Sequence, residues 1–570
     1  MFFKPDLILL HAPSVYDFRN RALLFGPISD VVPSTPVFEM YPVGFSSIAE
    51  CLEHNGIGVR IINLAYRMLK EPKFDAEKMI RKLRPVAFGI DLHWLVHAQG
   101  SMEIASICKK YHPDTPVILG GLSSTYYHEE LITYPQIDFV FRGDSTEEPL
   151  LQLMQQLKQG RMDFTTIPNL TWKDTDGVAH VNAHSYVPTH VNSLTNNYKN
   201  LFKMAMKYGD IKSMTAIHDW WSYPIVAMMT VRGCTQNCII CGGSRDGFEF
   251  YANRNKPAYR DADQIVEDIR GFLTFSNGPI FIIGDLNQQG IKYGETILTG
   301  LKKLNIKNQM VLELFNPATE HFFDMVADAL PQFNFEISPE SHDEKVRRNS
   351  GKFYTNASME QNIEWALARG CQKFDIFFMI GLSGQTAESA LETIDYCEYL
   401  IKKFGKRLMP FTAPLAPFLD PGSIAYEKTE KFGYKILYKG FEQHRTAMLN
   451  PSWKYFLNYE TEWMTREQIV NVTYEAGQRL NEVKYRHGVI DVDTYEKVKE
   501  KITLAKTLVQ QIDTILLKPD ETEREKQLAA LELDVRKHSI DTVCEENEIK
   551  WPVLKSGFKF INIGKAILFE

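Results

Sequence analysis

The stretch Arg232-Gly-Cys-Thr-Gln-Asn-Cys-Ile-Ile-Cys241 decides how the rest of the chain is interpreted, because it places three cysteines at spacings of four and three residues. Three thiolates on one short loop can bind three irons of a [4Fe-4S] cube and leave the fourth iron open. A ferredoxin-type cluster or a structural zinc site needs a fourth cysteine or histidine nearby. The other cysteines are scattered singly, and the nearest downstream histidine is His321. The loop therefore predicts a cluster whose open iron takes a chelating ligand.

Cys234-x3-Cys238-x2-Cys241 follows a strand-like apolar run at residues 224–231, and this arrangement resembles the cluster loop of the radical S-adenosylmethionine (SAM) superfamily. The resemblance implies that the three cysteines are the metal ligands and catalytic residues, and that SAM chelates the open iron and yields a 5′-deoxyadenosyl radical. The residue before the third cysteine is usually aromatic in this family. Here it is Ile240, which the resemblance places among the cofactor contacts without the usual ring.

Length and composition exclude several classes of protein. A chain of 570 residues is too long for one hydrophobic core, so two to four domains are expected. The net charge of -7, from 64 basic and 71 acidic residues, offers no basic surface for nucleic acid. No apolar run approaches the ~18 residues of a membrane helix, and the first residues lack the apolar core of a signal peptide. We therefore expect a cytoplasmic protein without an integral membrane segment.

Residues 1–160 alternate apolar, strand-like runs with amphipathic, helix-like runs. The runs expected to form strands cover residues 6–10, 59–63, 86–90, 116–120 and 138–142. Such alternation predicts a Rossmann-like, doubly wound α/β domain whose parallel sheet is covered on both faces. Ligands of these sheets bind at the carboxyl ends of the strands.

The segments at those strand ends resemble the cobalamin (B12)-binding domain that precedes the barrel in many radical SAM enzymes. The resemblance implies cobalamin contacts at Ser14, Tyr41, Asp91, His93, Trp94, Gly120, Gly121, Ser123 and Glu147. Gly120 and Gly121 would let the backbone approach the nucleotide tail, which a Cβ would block. An alternative stays open, in which these glycines are only strand-to-helix turns of a Rossmann-like fold.

The pair Asp91-x-His93 differs from the family motif Asp-x-His-x-x-Gly, whose histidine ligates cobalt. Val96 occupies the glycine position, and the pair follows the third predicted strand rather than the first. Radical SAM members of the family usually lack that ligand. We therefore expect His93 and Trp94 to line the corrin face, with axial ligation by His93 and a purely structural histidine as the alternatives.

Residues 161–225 are expected to form a hairpin and a linker, because turn residues at 173–177 separate two strand-like runs. From residue 226 to residue 430, repeated strand–helix units predict a partial (β/α)6 TIM-type barrel with its chemistry at the strand ends. Helix caps are expected from an aspartate near residue 261 and from Ser358 and Thr386.

The ends of the barrel strands resemble the SAM contacts of the superfamily. The resemblance implies cofactor binding by Gly284, Asp285, Glu340, Gly381 and Gln385. Residues 431–570 are predicted to be mainly helical, with most of their charge on solvated helix faces. For the aromatic-rich stretch at residues 453–463, core packing is favoured over closure of the barrel mouth.

These features together predict a cobalamin-dependent radical SAM enzyme. The resemblance implies a [4Fe-4S] cluster, SAM and cobalamin as cofactors, and an external electron donor such as a flavodoxin or ferredoxin. The predicted reaction methylates an unactivated carbon of a small or lipid-like molecule through a 5′-deoxyadenosyl radical and methylcobalamin. Oxidative cyclisation, rearrangement or C–C bond formation without methyl transfer is the first alternative. A non-catalytic cobalamin or cluster sensor is the second.

Overall fold

The computed structural model describes residues 4–21, 23–26, 35–195, 197–415, 417–538, 543–553 and 556–568. The N-terminal part is built on seven strands: β1 (Leu7–His11), β2 (Val59–Asn63), β3 (Ala87–Asp91), β4 (Val117–Gly120), β5 (Phe139–Phe141), β6 (Leu170–Lys173) and β7 (Ala179–Val181). They form one sheet in the order β2-β1-β3-β4-β5-β6-β7. The first five strands pair in parallel, so their carboxyl ends meet at one edge.

The predicted hairpin extends this same sheet, since β6 pairs antiparallel with β5 and with β7. The helices of the N-terminal part are α1 (Gly44–His54), α2 (Leu64–Lys70), α3 (Ala76–Lys82), α4 (Ala98–Tyr111), α5 (Leu122–Tyr126), α6 (His128–Leu131), α7 (Glu147–Lys158) and α8 (Tyr198–Lys207). Helix α8 occupies part of the segment predicted as linker. The side chain of Asn197 caps it by accepting a hydrogen bond from the Asn200 N–H, and its apolar face packs into the core.

A second sheet carries the remaining parallel strands. The strands from this point to residue 414 are β8 (Val226–Met229), β9 (Val231–Arg232), β10 (Ala258–Tyr259), β11 (Ile280–Ile283), β12 (Met310–Leu314), β13 (Phe333–Glu340), β14 (Phe374–Ile380) and β15 (Leu408–Pro414). Six of them form a wholly parallel sheet in the order β15-β14-β13-β12-β11-β8, and β9 pairs with β10. The predicted partial barrel of six strand–helix units is confirmed.

The helices that cover this sheet are α9 (Arg245–Ala252), α10 (Ala262–Phe275), α11 (Ile291–Lys303), α12 (Glu320–Ala329), α13 (Glu344–Asn349), α14 (Asn356–Ala368) and α15 (Ala387–Phe404). Thr386 caps α15, as predicted, by accepting from the Ser389 N–H. Ser358 does not cap α14, because the helix begins earlier and Thr355 accepts the Ser358 N–H instead. Asp261 precedes α10 without a side-chain capping bond, since its carboxylate accepts from Asn192.

The C-terminal region is mainly helical, as predicted. Its elements are α16 (Ile424–Glu427), α17 (Thr429–Phe432), β16 (Tyr434–Ile436), α18 (Phe441–Ala447), β17 (Tyr459–Thr461), α19 (Arg466–Arg486), α20 (Val492–Leu516), α21 (Glu521–His538), α22 (Glu546–Ile549) and α23 (Phe560–Leu568). Helix α19 packs on α15 and β15. Trp453 and Tyr459 of the aromatic-rich stretch are fully buried, which fits core packing. In the described residues, no helix is both long and apolar enough to cross a membrane.

Candidate active site

A cavity of about 510 Å³ lies where the two parallel sheets present the carboxyl ends of their strands to each other. The N-terminal sheet and its loops contribute Asp91, His93, Gly120, Gly121 and Glu147. The predicted cluster loop contributes Arg232, Gly233, Cys234 and Cys241, and the barrel contributes Met229, Ile283, Gly284 and Phe315. One space is therefore shared by the strand ends of both domains, where ligands of parallel sheets bind.

The cluster loop turns sharply at Gly233, whose φ of 85° is a conformation that L side chains rarely adopt. Backbone and side-chain N–H groups then point at the sulfurs. Cys234 Sγ accepts from the Gln236 N–H at 3.3 Å and from Gln288 Nε2 at 3.1 Å. Cys241 Sγ accepts from the Gly243 N–H at 3.3 Å. Such donors favour the thiolate that metal ligation requires.

Burial raises the pKa of Cys234 and Cys238, so the loop does not by itself hold these two residues as thiolates. The positive charge of bound iron would supply the missing stabilisation. A single metal ion requires three or more ligand atoms close to one another. Among the described residues, such a group, with all its ligand atoms within 4.8 Å, occurs only at a histidine–aspartate cluster and not at these cysteines. In a tetrahedral zinc site the sulfur atoms lie ~3.8 Å from one another. Sulfur atoms that lie farther apart are suited to binding separate irons of a [4Fe-4S] cube.

Two buried ion pairs hold the N-terminal domain against this loop. Arg232 makes two contacts with the carboxylate of Glu147, at 2.7 and 3.1 Å. Burial alone would raise the pKa of Glu147, but the Arg232 guanidinium holds it below its ordinary value. Arg254 makes a second pair with Asp144, and its side chain packs against Gly233. The pairs position the cluster loop over the N-terminal sheet.

Gly120 and Gly121 have different structural roles, although both line the cavity. A Cβ added at Gly120 would meet nothing within 4 Å, so this backbone is open to a ligand. A Cβ at Gly121 would lie 2.4 Å from the Cα of His93, and the φ of Gly121 is 122°. Gly121 is therefore required by the close approach of the neighbouring loop. Close approach of a ligand to Gly120 stays a prediction.

Asp91 and His93 lie at the floor of the cavity, at the end of β3. His93 Nδ1 lies 2.6 Å from the Asp91 carboxylate, and the ring is partly exposed to the cavity. Trp94 does not line the cavity but joins the domains, because its Nε1 donates to Asp420 at 3.2 Å. Asp420 in turn accepts from the Gly242 N–H, next to Cys241. Burial raises the pKa of Asp420.

Three other predicted cobalamin contacts do not line this cavity. The Ser14 hydroxyl is buried and donates to the Pro36 carbonyl, and the Tyr41 hydroxyl donates to the Met214 carbonyl. Ser123 lies within α5, where its carbonyl accepts from the Tyr127 N–H. Of the predicted cobalamin contacts, Asp91, His93, Gly120, Gly121 and Glu147 are the ones brought together.

At the barrel mouth, Gly284 lines the cavity with a φ of 99°. Asp285 is committed to its own turn, because its oxygens accept from Asn287 and from the Phe315 N–H. Glu313, at the end of β12, accepts the Gly284 N–H at 2.6 Å. Burial, and then the neighbouring Asp285 carboxylate, raise the pKa of Glu313. Sequence reasoning missed Glu313, and a single carboxylate in the apolar run Met-Val-Leu-Glu-Leu was the available signal.

Glu340 has a positive φ of 66°, a conformation that is rare for a non-glycine residue and clusters at functional sites. Its Oε1 lies 2.6 Å from Lys352 Nζ, while its buried Oε2 has no hydrogen-bond partner among the described residues. Gln385 is fully buried and braces a turn, since its amide oxygen accepts from the N–H groups of Gly381 and Leu382. Glu340 therefore keeps an acceptor for a ligand, whereas Gln385 does not.

Ile240 does not line the cavity and is 5% exposed within the apolar core. Its side chain packs into the apolar core, and the cofactor contact expected for Ile240 stays a prediction.

Two family models match the chain. The model of the B12 binding domain matches residues 30–151, and the model of the radical SAM superfamily matches residues 228–397. No curated protein sequence matches the chain. The first matched segment includes β2 to β5 of one parallel sheet, and the second includes β11 to β14 of the other.

Two solved structures resemble the fold. The methyltransferase TsrM from Kitasatospora setae, with cobalamin and a [4Fe-4S] cluster bound, has 14% sequence identity and a TM-score of 0.58 over 94% of this chain and 100% of that chain. The cobalamin-dependent radical SAM enzyme OxsB, with aqua-cobalamin bound, has 13% identity and a TM-score of 0.51 over 94% of this chain and 72% of that chain. The chain thus belongs to the radical SAM enzymes that carry a B12-binding domain ahead of the radical SAM domain.

Proposed function

We propose that this protein is a cobalamin-dependent radical SAM methyltransferase that acts on an unactivated carbon of a small molecule. One observation carries the proposal. The cavity of about 510 Å³ is lined on one side by the strand ends of the B12-binding domain and on the other by Cys234, Cys241 and the strand ends of the radical SAM domain. A methyl donor and a radical source must reach the same carbon, and a shared space allows that.

The residues present suit all three cofactors. Cys234, Cys238 and Cys241 form a donor set for a [4Fe-4S] cluster, and the open backbone at Gly120 leaves room for cobalamin. The unpartnered oxygen of Glu340 suits a hydroxyl or ammonium group of SAM. When bound, these cofactors would supply a 5′-deoxyadenosyl radical and a transferable methyl group.

The protein's own task is to orient the reactants and to exclude water. The cavity wall is mostly apolar and includes Phe45, Leu122, Phe248 and Phe315. An apolar wall favours a flat or hydrophobic substrate. A TsrM structure contains a tryptophan substrate, and small aromatic metabolites are accordingly the first substrates to test. An external donor such as a flavodoxin or ferredoxin would deliver the electron.

The proposal is tested anaerobically with the reconstituted protein, SAM, a reductant and hydroxocobalamin. Mass spectrometry would follow 5′-deoxyadenosine and S-adenosylhomocysteine, first with small aromatic substrates, and Cys238→Ala would be the matched control. We expect both products and a substrate mass increase of one CH2 unit in the wild type. We expect no deoxyadenosine in the variant.

Other outcomes separate the alternatives. Deoxyadenosine without S-adenosylhomocysteine, from protein that binds cobalamin, would favour cyclisation, rearrangement or C–C bond formation without methyl transfer. A formed cluster that gives neither product with any substrate tried would contradict the methyltransferase proposal and favour a sensor.

A further inference from the structure

Four metal-ligating side chains converge beneath the cavity. His11 ends β1, Asp91 ends β3, and His93 and His97 lie in the loop and turn that follow β3. One ligand atom from each residue lies within 4.8 Å of all the others. His11, Asp91 and His97 are at most 3% exposed. None of the cysteines belongs to this group, so it is separate from the predicted cluster site.

The hydrogen bonds around the cluster fix which nitrogens of two rings carry protons. His11 Nε2 lies 2.8 Å from the Phe38 carbonyl, and His97 Nδ1 lies 3.0 Å from the Ala12 carbonyl. A carbonyl only accepts, so both of these nitrogens must donate. In neutral rings, the lone pairs then sit on His11 Nδ1 and on His97 Nε2. His11 Nδ1 faces the Asp91 carboxylate within the group.

Those two lone pairs lack suitable donors. His11 Nδ1 lies 3.0 Å from both oxygens of the Asp91 carboxylate, which is an acceptor facing an acceptor. His97 Nε2 is buried with no hydrogen-bond partner among the described residues. The arrangement therefore calls for a cation at its centre.

A proton and a metal ion satisfy this demand differently. A proton on His11 Nδ1 would satisfy the Asp91 carboxylate but would leave His97 Nε2 unpartnered. A metal ion would accept all four ligands, including His93 through Nδ1, which lies 2.6 Å from Asp91. Carbonyl partners on the outer nitrogens of His11 and His97 are the outer-shell bonds that usually orient metal-bound imidazoles.

We propose that His11, Asp91, His93 and His97 form a binding site for a single divalent first-row ion such as Zn²⁺, distinct from the iron–sulfur cluster. Three imidazoles and one carboxylate are ligands that Zn²⁺ accepts in a closed tetrahedral site. Tetrahedral ligands ~2.0–2.1 Å from zinc lie ~3.3 Å apart. The contacts of 3.0 and 2.6 Å would therefore open by about 0.3–0.7 Å, and any ligand pair at the 4.8 Å limit would close by about 1.5 Å. His93 lines the cavity and supplies the entry path.

The backbone around the site supports this assignment. Phe38 has a φ of 55°, which is rare for a bulky residue, and its carbonyl faces His11. The Asp91 carbonyl accepts from the Ser101 hydroxyl at 2.8 Å. A bound ion would fix the segment at 91–97, including Trp94, which reaches Asp420 beside the cluster loop. The ion thus has a positioning role.

The site can be tested without cobalamin or SAM, so the result is independent of the proposed function. The full-length protein with its cluster reconstituted would be equilibrated with buffered zinc, and bound zinc would be measured by elemental analysis. X-ray absorption at the zinc edge would then report the ligand atoms. We expect one zinc per chain with nitrogen and oxygen ligands, including imidazole, and no sulfur.

His97→Gln removes a ligand. Loss of a residue that only hydrogen-bonds to a metal ligand already weakens metal binding by about tenfold or more, so this variant should weaken zinc binding at least about tenfold. The matched control is His112→Gln. His112 is a buried histidine of the same domain that contacts the Ile80 carbonyl and lies outside the group, so its variant should bind zinc as the parent does. Circular dichroism would confirm that both variants are folded.

Three results would overturn the proposal. These are substoichiometric zinc in the parent protein, zinc coordinated by sulfur, or unchanged affinity in folded His97→Gln. If His97→Gln does not fold, the absorption spectrum of the parent protein alone decides between imidazole and other ligands.

Discussion

Replacing Glu147 tests how the B12-binding domain is held against the cluster loop. The side chains of Arg232 and Glu147 are only 11% and 6% exposed, and two nitrogen–oxygen contacts of 2.7 and 3.1 Å join them. Removing one partner of a buried ion pair leaves an uncompensated charge and costs about 3–5 kcal/mol. Glu147→Gln should therefore lower the free energy of unfolding of the domain by about 3 kcal/mol or more.

Thermal denaturation of the cofactor-free protein measures this effect. For a domain of this size each kcal/mol lowers the melting temperature by ~2–4 °C, so a decrease of about 6–12 °C is expected. Glu148→Gln is the matched control, because Glu148 is exposed in the same helical turn and should change stability by less than ~0.5 kcal/mol. Replacing the pair together, with Glu147→Leu and Arg232→Met, should recover most of the loss.

The pH dependence of the effect has a definite sign. Because Arg232 holds the pKa of Glu147 below its ordinary value, the contribution of the carboxylate is complete above that ordinary value. It is lost as the pH falls through the lowered pKa, so the difference between wild type and Glu147→Gln should shrink in acid. Equal melting temperatures for Glu147→Gln and Glu148→Gln at neutral pH would refute the reasoning.

Two further predictions concern Gly120 and Gly121 of the same domain and His218 of the segment that follows it. Gly121→Ala should lower the melting temperature strongly, because its Cβ would lie 2.4 Å from the His93 backbone. Gly120→Ala should have the melting temperature of the wild type, because its Cβ would meet nothing within 4 Å, but it should bind cobalamin more weakly in equilibrium dialysis. Equal melting of the two variants would contradict this. Burial alone would lower the pKa of His218, but hydrogen bonds to Glu39 and Glu546 raise it to about 9. His218→Gln should therefore destabilise the protein at pH 7, as measured by chemical denaturation. The difference in stability between wild type and variant should vanish as the pH rises through 9. A difference that persists above pH 9 would show that the charge is not responsible.

Much of the fold follows from local patterns of the sequence. Five apolar runs separated by helix-like runs became β1 to β5, because a strand buried on both faces must be apolar throughout. The cysteine spacing also identified the cluster loop, because all three predicted ligands lie within eight consecutive residues. The capping role of Thr386 could also be predicted from the sequence, because a capping side chain bonds within the first turn of its helix.

The site residues that were missed depend on long-range contacts. His11 meets Asp91 only because β1 and β3 are neighbours in the sheet, which no local pattern indicates. Gly121 was expected to approach a nucleotide, yet its missing Cβ makes room for the loop after β3. The Asp285 carboxylate accepts from the Asn287 and Phe315 N–H groups, and its contact with SAM stays a prediction. Glu313, on the next strand, accepts the Gly284 N–H, a contact that the sequence did not indicate.

The central claim is that one cavity brings the cobalamin and the cluster together. Electron paramagnetic resonance tests it most directly, by measuring the relaxation of protein-bound cob(II)alamin while the cluster is either oxidised and diamagnetic or reduced and paramagnetic. We expect faster relaxation of the cobalt signal when the cluster is reduced, and no such change in Cys238→Ala. Cobalt relaxation that is the same with an oxidised and a fully reduced wild-type cluster would place the cofactors far apart and contradict the shared cavity.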